Sequence, residues 1–394
     1  MSFIIDGHLD IAMNALSYER DQCLTVAQIR QREAKLTGGE PGTCTTTVQE
    51  MRRVGVPMCV TTVIARYRPM AQPERLAPRY GLDHPTQDMA YASAMGQLAY
   101  YEALQRQGVL RILRTKQDVH EHWNDWRTES TGAPSRQGGA SRRTDASGVR
   151  GTTLPGGAPA MPPLGVIITM EGADPIVEPQ EIYLWHERGL RTLMLAHFGP
   201  AVHAYGTQGH NSTEDGPVTD RGIELLKEVA ALKMPLDLTH LCDRSFFQAI
   251  DLFDGAIYAS HSNCRALAPM QRQLSDQQIR LILERDGVIG AAMHIGMMRL
   301  KPGGNIPPRA EVGLDVIVQH LDHVCQLAGD AKHAAIGSDL DGGFGAEDCP
   351  HDLDTVADLR KLDGLLKARG YSDEDVKNIL HGNWLRFWMT HLPG

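Results

Sequence analysis

His8 and Asp10, two residues apart in DGHLD near the start of the chain, could grip one ion, because in an extended segment that spacing points both side chains to the same side. Imidazole and carboxylate are zinc ligands at about 2.0 to 2.2 Å. HxD alone is a weak motif, and a hydrogen-bonded strand-end pair reads the same way. Recurrence strengthens it, because polar residues close a series of short apolar runs: Glu171 follows GVIITM, His197 follows TLMLA, His240 follows PLDLT, His261 follows AIYAS and Asp339 follows AAIGS. Glu171 is expensive to bury unpaired, so it must meet a cation, and a metal is preferred over an Arg. Singly, His240 and His261 read as satisfied core histidines; as a set on consecutive strands they read as ligands. A carboxylate able to bridge, with HxD on one side and two His on the other, describes a two-metal hydrolase. Ions about 3.5 to 4 Å apart can share a hydroxide that is nucleophilic near neutral pH. Asp339, without a required metal role, suits a general base and acid that takes the water's proton and returns it to a leaving amine. Asp341 in SDLDGG competes for that role, and Asp339 is preferred because it directly follows the apolar run. His294, inside the apolar GAAMHIGMM, is assigned to packing; His320 and His323 are placed on a solvated helix, and all three are left out.

The elements that must bring these residues together are eight short Val, Ile and Leu-rich runs with amphipathic segments between them. The runs are Phe3 to Asp6, Val56 to Ala65, Gly165 to Met170, Arg191 to Ala196, Met234 to Thr239, Ala256 to Ser260, Gly287 to Ile295 and Ala334 to Ser338. Apolar residues at three-and-four spacing predict helices over Asp220 to Lys233, Asp243 to Phe253, Ser275 to Asp286 and Gly313 to Leu327. Two more, Pro85 to Gln107 and Lys116 to Glu129, fill a long connection between the second and third runs. Strands alternating with helices predict an α/β fold, a TIM-type (β/α)8 barrel of parallel strands buried on both faces. Its strands all end on one face, where residues distant in sequence converge. The 394 residues are read as one such domain, 1–394. Residues 130–163, dominated by Gly, Pro, Ser, Thr and Arg, are read as a mobile surface insertion, with too little apolar surface to offset ordering entropy. SDEDVKNILHGNWLRFW starts with a capping-box variant at Ser372 and predicts a closing helix.

Composition narrows the function. A net charge of -9 argues against a nucleic-acid footprint, which needs a basic face to replace phosphate counterions. MSFIIDGHLD lacks a basic region followed by an apolar run, no stretch reaches the roughly 20 apolar residues of a membrane span, and THLPG carries no lipid-anchor tail. The expectation is a cytoplasmic protein without a membrane anchor. Seven cysteines, an odd number with no CxxC pair, predict reduced thiols and argue against a disulfide framework or zinc knuckle.

Together, DGHLD, ITMEG, DLTHLCD, YASHSNCRAL, IGSDLDGG and GNWLRFW resemble the membrane (renal) dipeptidase family of zinc peptidases, nearly end to end and in order. The resemblance implies a dipeptidase with two Zn2+ per chain: His8 and Asp10 on one, His240 and His261 on the other, and Glu171 bridging. It implies that His197 polarises the substrate carbonyl or steadies the oxyanion, and that Asp339 is the catalytic acid and base. Arg272, eleven residues after His261, would hold the free carboxylate of a dipeptide through two charge-assisted hydrogen bonds. Its bland alternative is a surface Arg before a helix. The range of expected substrates includes dipeptides with a C-terminal D-residue, and a homodimer is the assembly implied. The membrane-bound members carry a signal peptide, a lipid-anchor signal and disulfides, none of which this sequence shows. The insertion has no counterpart in the family and, preceding the Glu171 strand on the side opposite the catalytic face, is expected to affect surface properties or assembly. Another binuclear amidohydrolase, acting on N-acyl amino acids, cyclic amides or lactones, is the alternative enzyme, since barrel and metals do not set the substrate. An inactive metal-binding barrel serving as an interaction protein is the non-enzymatic alternative, which the presence of Asp339, His197 and Arg272 speaks against.

Overall fold

Strands buried on both faces need continuous apolar runs, and LGVIITM supplies one in which all seven residues are buried. In the computed structural model, which describes residues 2–34, 42–69, 81–130, 161–208 and 214–394, each of the eight runs carries a strand. They are β1 Ile5–Leu9, β2 Met58–Val63, β3 Leu164–Met170, β4 Leu190–Met194, β5 Leu236–Asp237, β6 Ile257–Tyr258, β7 Ile289–Ala291 and β8 Ala334–Ile336. All pair in parallel, in the order β7-β8-β1-β2-β3-β4-β5-β6. A parallel bridge from Ala259 to Ile289 joins the two ends and closes the barrel, with Ala259 N donating to Val288 O at 2.9 Å and Gly290 N to Ala259 O at 2.8 Å.

Two strand expectations change. β1 begins and ends later than Phe3 to Asp6, because its pairing with β2 continues past a register shift to Leu9 opposite Thr61. His8 therefore lies inside the strand. A ninth strand, Leu110–Ile112, was not expected; it pairs with the first residues of β3, which β4 meets only from Ile168 onward. A small parallel pair, Arg66–Tyr67 with Asp83–His84, follows β2. The predicted helices appear as Gln87–Arg106, Lys116–Ser130, Asp220–Ala231, Asp243–Leu252, Asp276–Glu284 and Leu314–Ala328. Most of the proposed insertion, residues 131–160, lies outside the described residues.

Ser372 caps the last helical segment with a full capping box to Asp375. That segment is not one helix: a π turn at Asn378–Gly382 separates Asp373–Lys377 from Asn383–His391. Beyond it, Trp384 and Trp388 lie beneath the barrel, packed with Ile5, Ile167, Tyr258 and Phe387. Trp384 Nε1 donates to Ile336 O at 2.7 Å.

The closing seam between β6, β7 and β8 is built around the Ser260 carbonyl. A Cβ on Gly290 would lie 1.9 Å from that oxygen, and one on Gly337 only 1.7 Å. Neither neighbour is the end of a flexible side chain, so a methyl group must displace backbone. Gly337→Ala is expected to cost at least about 2 kcal/mol through overpacking, read as a lower urea midpoint with an unchanged slope. A wild-type midpoint would show that the seam yields more than its geometry implies.

Candidate metal centre

Six polar side chains reach the barrel mouth by one device. Arg66, His197, His240, His261, His294 and Asp339 each lie three residues past the end of β2, β4, β5, β6, β7 and β8. Asp10 and Glu171 follow the last residues of β1 and β3 directly. At two of these positions the chain turns through the left-handed region, His240 at φ 72° and Asp339 at φ 58°. Such conformations are costly for non-glycine residues and recur where a site dictates the backbone. Below the mouth, two buried aspartates pin the strand ends in the same way. Asp6 Oδ1 accepts from His8 N at 3.1 Å and Ser338 N at 2.8 Å. Asp237 Oδ1 accepts from Thr239 N and Ser260 N, both at 3.0 Å.

Glu171 is the centre of the constellation. Its Oε2 lies 3.4 Å from His8 Nε2, and its Oε1 lies 3.1 Å from His240 Nε2 and 3.6 Å from both His197 Nε2 and His261 Nε2. Asp339 Oδ1 is 3.9 Å from His8 Nε2. Among the described residues, three buried sets have donor atoms within 4.8 Å of one another: His8, Asp10 and Glu171; Glu171, His240 and His261; and His8, His261 and Asp339. The first two share only Glu171. Asp10 accepts from Thr62 Oγ1, and Arg272 donates to Ser262 Oγ at 3.1 Å, His261 O at 3.0 Å and His240 Nε2 at 3.2 Å.

These groups are costly to collect without a cation. Burial above all, then the neighbouring Glu171 charge, pushes Asp10 up to about 7. Burial also pushes Glu171 up to about 7 against the pull of Arg272. Asp339 is driven well above the usual carboxylate range by burial, with His8 opposing and Asp10 adding to the shift. His197, His240 and His261 are held well below the usual imidazole range, again mainly by burial. Ligation by histidine requires the neutral imidazole. His8 Nε2 and Glu171 Oε2 are buried without a hydrogen-bond partner, and the Nε2 atoms of His240 and His261 face each other at 2.9 Å. A mixed N and O donor set without thiolate fits divalent ions of the zinc type.

Around this centre opens a cleft of about 340 Å³, lined by Asp10, Glu171, His197, His240, Arg272 and Asp339. Its lining also includes apolar side chains, among them Met13, Met270, Met297, Phe198 and Phe344. Arg272 is a buried cleft residue, not a surface Arg. Asp341 lies apart from Asp339: it is buried behind the mouth, accepting from Thr45 N and Oγ1 and pairing with Arg20 at 3.3 Å. His294 was assigned to packing but lines the cleft, its Nδ1 accepting from Gly296 N at 3.1 Å. His320 was expected in solvent and is instead a buried brace, its Nδ1 accepting from Cys264 N at 3.1 Å and its Nε2 meeting Met298 O at 2.8 Å. His323 is partly buried against Asp276 at 2.8 Å.

Arg66 escaped the sequence reading. Anchored by Asp83 at 2.6 Å, it meets His197 Nδ1 at 3.1 Å. A guanidinium only donates, so Nδ1 must accept and the neutral ring carries its proton on Nε2, on the Glu171 side. The offset of three residues past a strand end, which Arg66 and His294 share with His197, emerges only from the strand ends that the structure supplies.

The model of the membrane dipeptidase family, peptidase family M19, matches residues 160–391. That segment excludes His8 and Asp10, which the barrel nevertheless places beside Glu171. An uncharacterized protein from the pqqA 5' region of Klebsiella pneumoniae is 32% identical over 57% of this chain and 80% of its own length. An uncharacterized dipeptidase of Schizosaccharomyces pombe is 27% identical over 54% of this chain and 49% of its own length; beyond the Klebsiella protein, the chain spans about half the length of such curated relatives. A metallopeptidase from Rhodobacter sphaeroides, solved with a phosphinate mimic of the dipeptide L-Ala-D-Ala, superposes over 100% of both chains with a TM-score of 0.72 at 22% identity, sharing the fold. Among the described residues no helix is long and apolar enough to cross a membrane. With the family model covering more than half of its length, the chain belongs to the membrane dipeptidase family, peptidase family M19.

Proposed function

We propose that this chain hydrolyses dipeptides with two zinc ions, one held by His8 and Asp10, the other by His240 and His261, with Glu171 bridging them. The observation that carries the reading is the convergence of four imidazole Nε2 atoms on one buried carboxylate. Bound there, the ions supply Lewis acidity and bring a water's pKa near neutrality. The chain's own groups do the rest. His197, its proton held on Nε2 by Arg66, donates to the oxyanion that develops on the scissile carbonyl. Asp339, in the cleft beside His8, takes a proton from the attacking water and returns it to the leaving amine.

Arg272 takes the substrate carboxylate. Its NH2 lies 3.2 Å from His240 Nε2, the atom that would hold the ion, so the guanidinium stands at the edge of the metal subsite and lines the cleft. Arg272→Lys removes the fork that pairs with a carboxylate. Its dipeptide KM is expected to rise about 10- to 100-fold, the worth of a charge-assisted hydrogen bond, with a smaller change in kcat. A dipeptide amide, lacking the carboxylate, should respond little; an equal loss on both substrates would place Arg272 elsewhere in the reaction.

The apolar part of the cleft lining suits uncharged side chains, and the ligand of the Rhodobacter protein supports including dipeptides with a C-terminal D-residue. Seven free cysteines fit a cytoplasmic, reducing location, and a homodimer is the assembly consistent with the family. A zinc-loaded panel of dipeptides, with L- and D-residues at the C-terminal position, tested against N-acyl amino acids and lactones, decides the substrate class. Turnover confined to the last two groups would replace the dipeptidase reading.

A further inference from the structure

Both halves of the centre lean on one side chain that is not a ligand. Ser260 closes the run before His261 and is fully buried. Its Oγ lies 2.9 Å from His261 Nδ1 and 3.3 Å from His8 Nδ1. These two rings come from β1 and from the turn after β6, and their centroids lie 3.7 Å apart with the planes tilted by 36°. Each turns its Nε2 toward Glu171, His8 from one side of the carboxylate and His261 from the other.

Donor and acceptor counting fixes the roles. A histidine that ligates through Nε2 carries its proton on Nδ1, which then needs an acceptor. A hydroxyl offers two lone pairs and one proton. Two Nδ1–H groups fill both lone pairs, and the hydroxyl proton is left for Thr239 Oγ1, 3.4 Å away. The hydroxyl is itself held rigidly, because the Ser260 backbone N–H donates to Asp237 at 3.0 Å and its carbonyl sits against Gly290 and Gly337.

We propose that the Ser260 hydroxyl is a positioning group shared by both metal subsites, accepting from His8 Nδ1 and His261 Nδ1 at once and so coupling the two ligand sets. The proposal rests on the reading of His8 and His261 as ligands of different ions. Partners of this kind orient the ring and raise ligand basicity, and their loss typically costs about 10- to 100-fold in metal affinity.

The test is zinc binding to the metal-free protein, measured against a chromophoric chelator, for wild type and Ser260→Ala, with a thermal melt to establish that both are folded. Wild type should bind two equivalents, and the variant should bind both of them about 10- to 100-fold more weakly. Unchanged affinity at either equivalent overturns the shared role while leaving the two-metal reading intact; a wild type that binds no zinc overturns both. Should the variant not fold, long-range 15N–1H spectra of histidine-labelled, zinc-loaded wild type decide. His8 and His261 must both show a protected proton on Nδ1, and a ring protonated on Nε2 in either position rejects the proposal.

Discussion

Asp339→Asn is expected to lower kcat on dipeptides by about 10²- to 10⁴-fold, the usual worth of a positioned acid and base, while zinc content stays at the wild-type level. The amide keeps the shape and one acceptor of the carboxylate but cannot carry a proton from water to amine. Asp339 stands at the cleft surface of the centre, 3.9 Å from His8, and forms with His8 and His261 one of the three donor sets. Two outcomes therefore separate its roles. Loss of turnover with full metal makes it the proton carrier; loss of turnover with a matching loss of zinc makes it a ligand and leaves the acid and base unassigned. A fully active variant removes it from the mechanism. Asp341→Asn is the control, because that carboxylate is consumed by Thr45, Thr46 and Arg20 behind the mouth. Its replacement should lower stability with little direct effect on the chemistry.

The barrel and its mouth were legible because burial and function leave different marks on the same run. β3 reads as LGVIITM, apolar on both faces, and stops at Glu171, a residue that no apolar strand would hold without a partner. The same contrast exposed His240, His261 and Asp339. It failed at His294 because the residues around it, Ala292, Met293 and Ile295, are themselves buried, so a cleft histidine and a packed one have the same local sequence. His320 failed in the opposite direction. Periodicity placed it on a helix, but its buried contacts are with Cys264 and Met298, and no local pattern reports partners 56 and 22 residues away. Arg66 and Ser260 were illegible for a further reason. A lone Arg and a lone Ser at strand ends are ordinary, and they gain meaning only from the atoms they face, His197 Nδ1 for one and two imidazoles for the other. The π turn in the last helical segment is likewise unmarked by the capping chemistry at Ser372, and it lies just before Trp384 and Trp388, which pack under the barrel.

Glu171→Gln separates the metal from the fold, because the two respond with opposite signs. As the only member common to the His8/Asp10 and His240/His261 sets, Glu171 supplies the charge that both ions share. An amide is a neutral, weaker ligand, and zinc content is expected to fall from two equivalents to one or fewer, with turnover falling in step. In the metal-free protein the carboxylate is instead a burden. Burial pushes it up to about 7, above its ordinary value of 4.5. The folded state thus binds a proton more tightly than the unfolded chain does, and stability is lost as pH rises from about 4.5 to 7. Asp10, also pushed up to about 7, contributes its own loss over much of the same range. The Gln variant removes the Glu171 part of that slope. Metal-free Glu171→Gln is therefore expected to melt at or above metal-free wild type at pH 7. The rise in Tm that zinc gives wild type by binding only the folded state should shrink or vanish in the variant. A metal-free variant that melts well below wild type would mean that Glu171 braces the barrel through its hydrogen bonds, and a variant that retains two tightly bound zinc ions would remove it from the bridge.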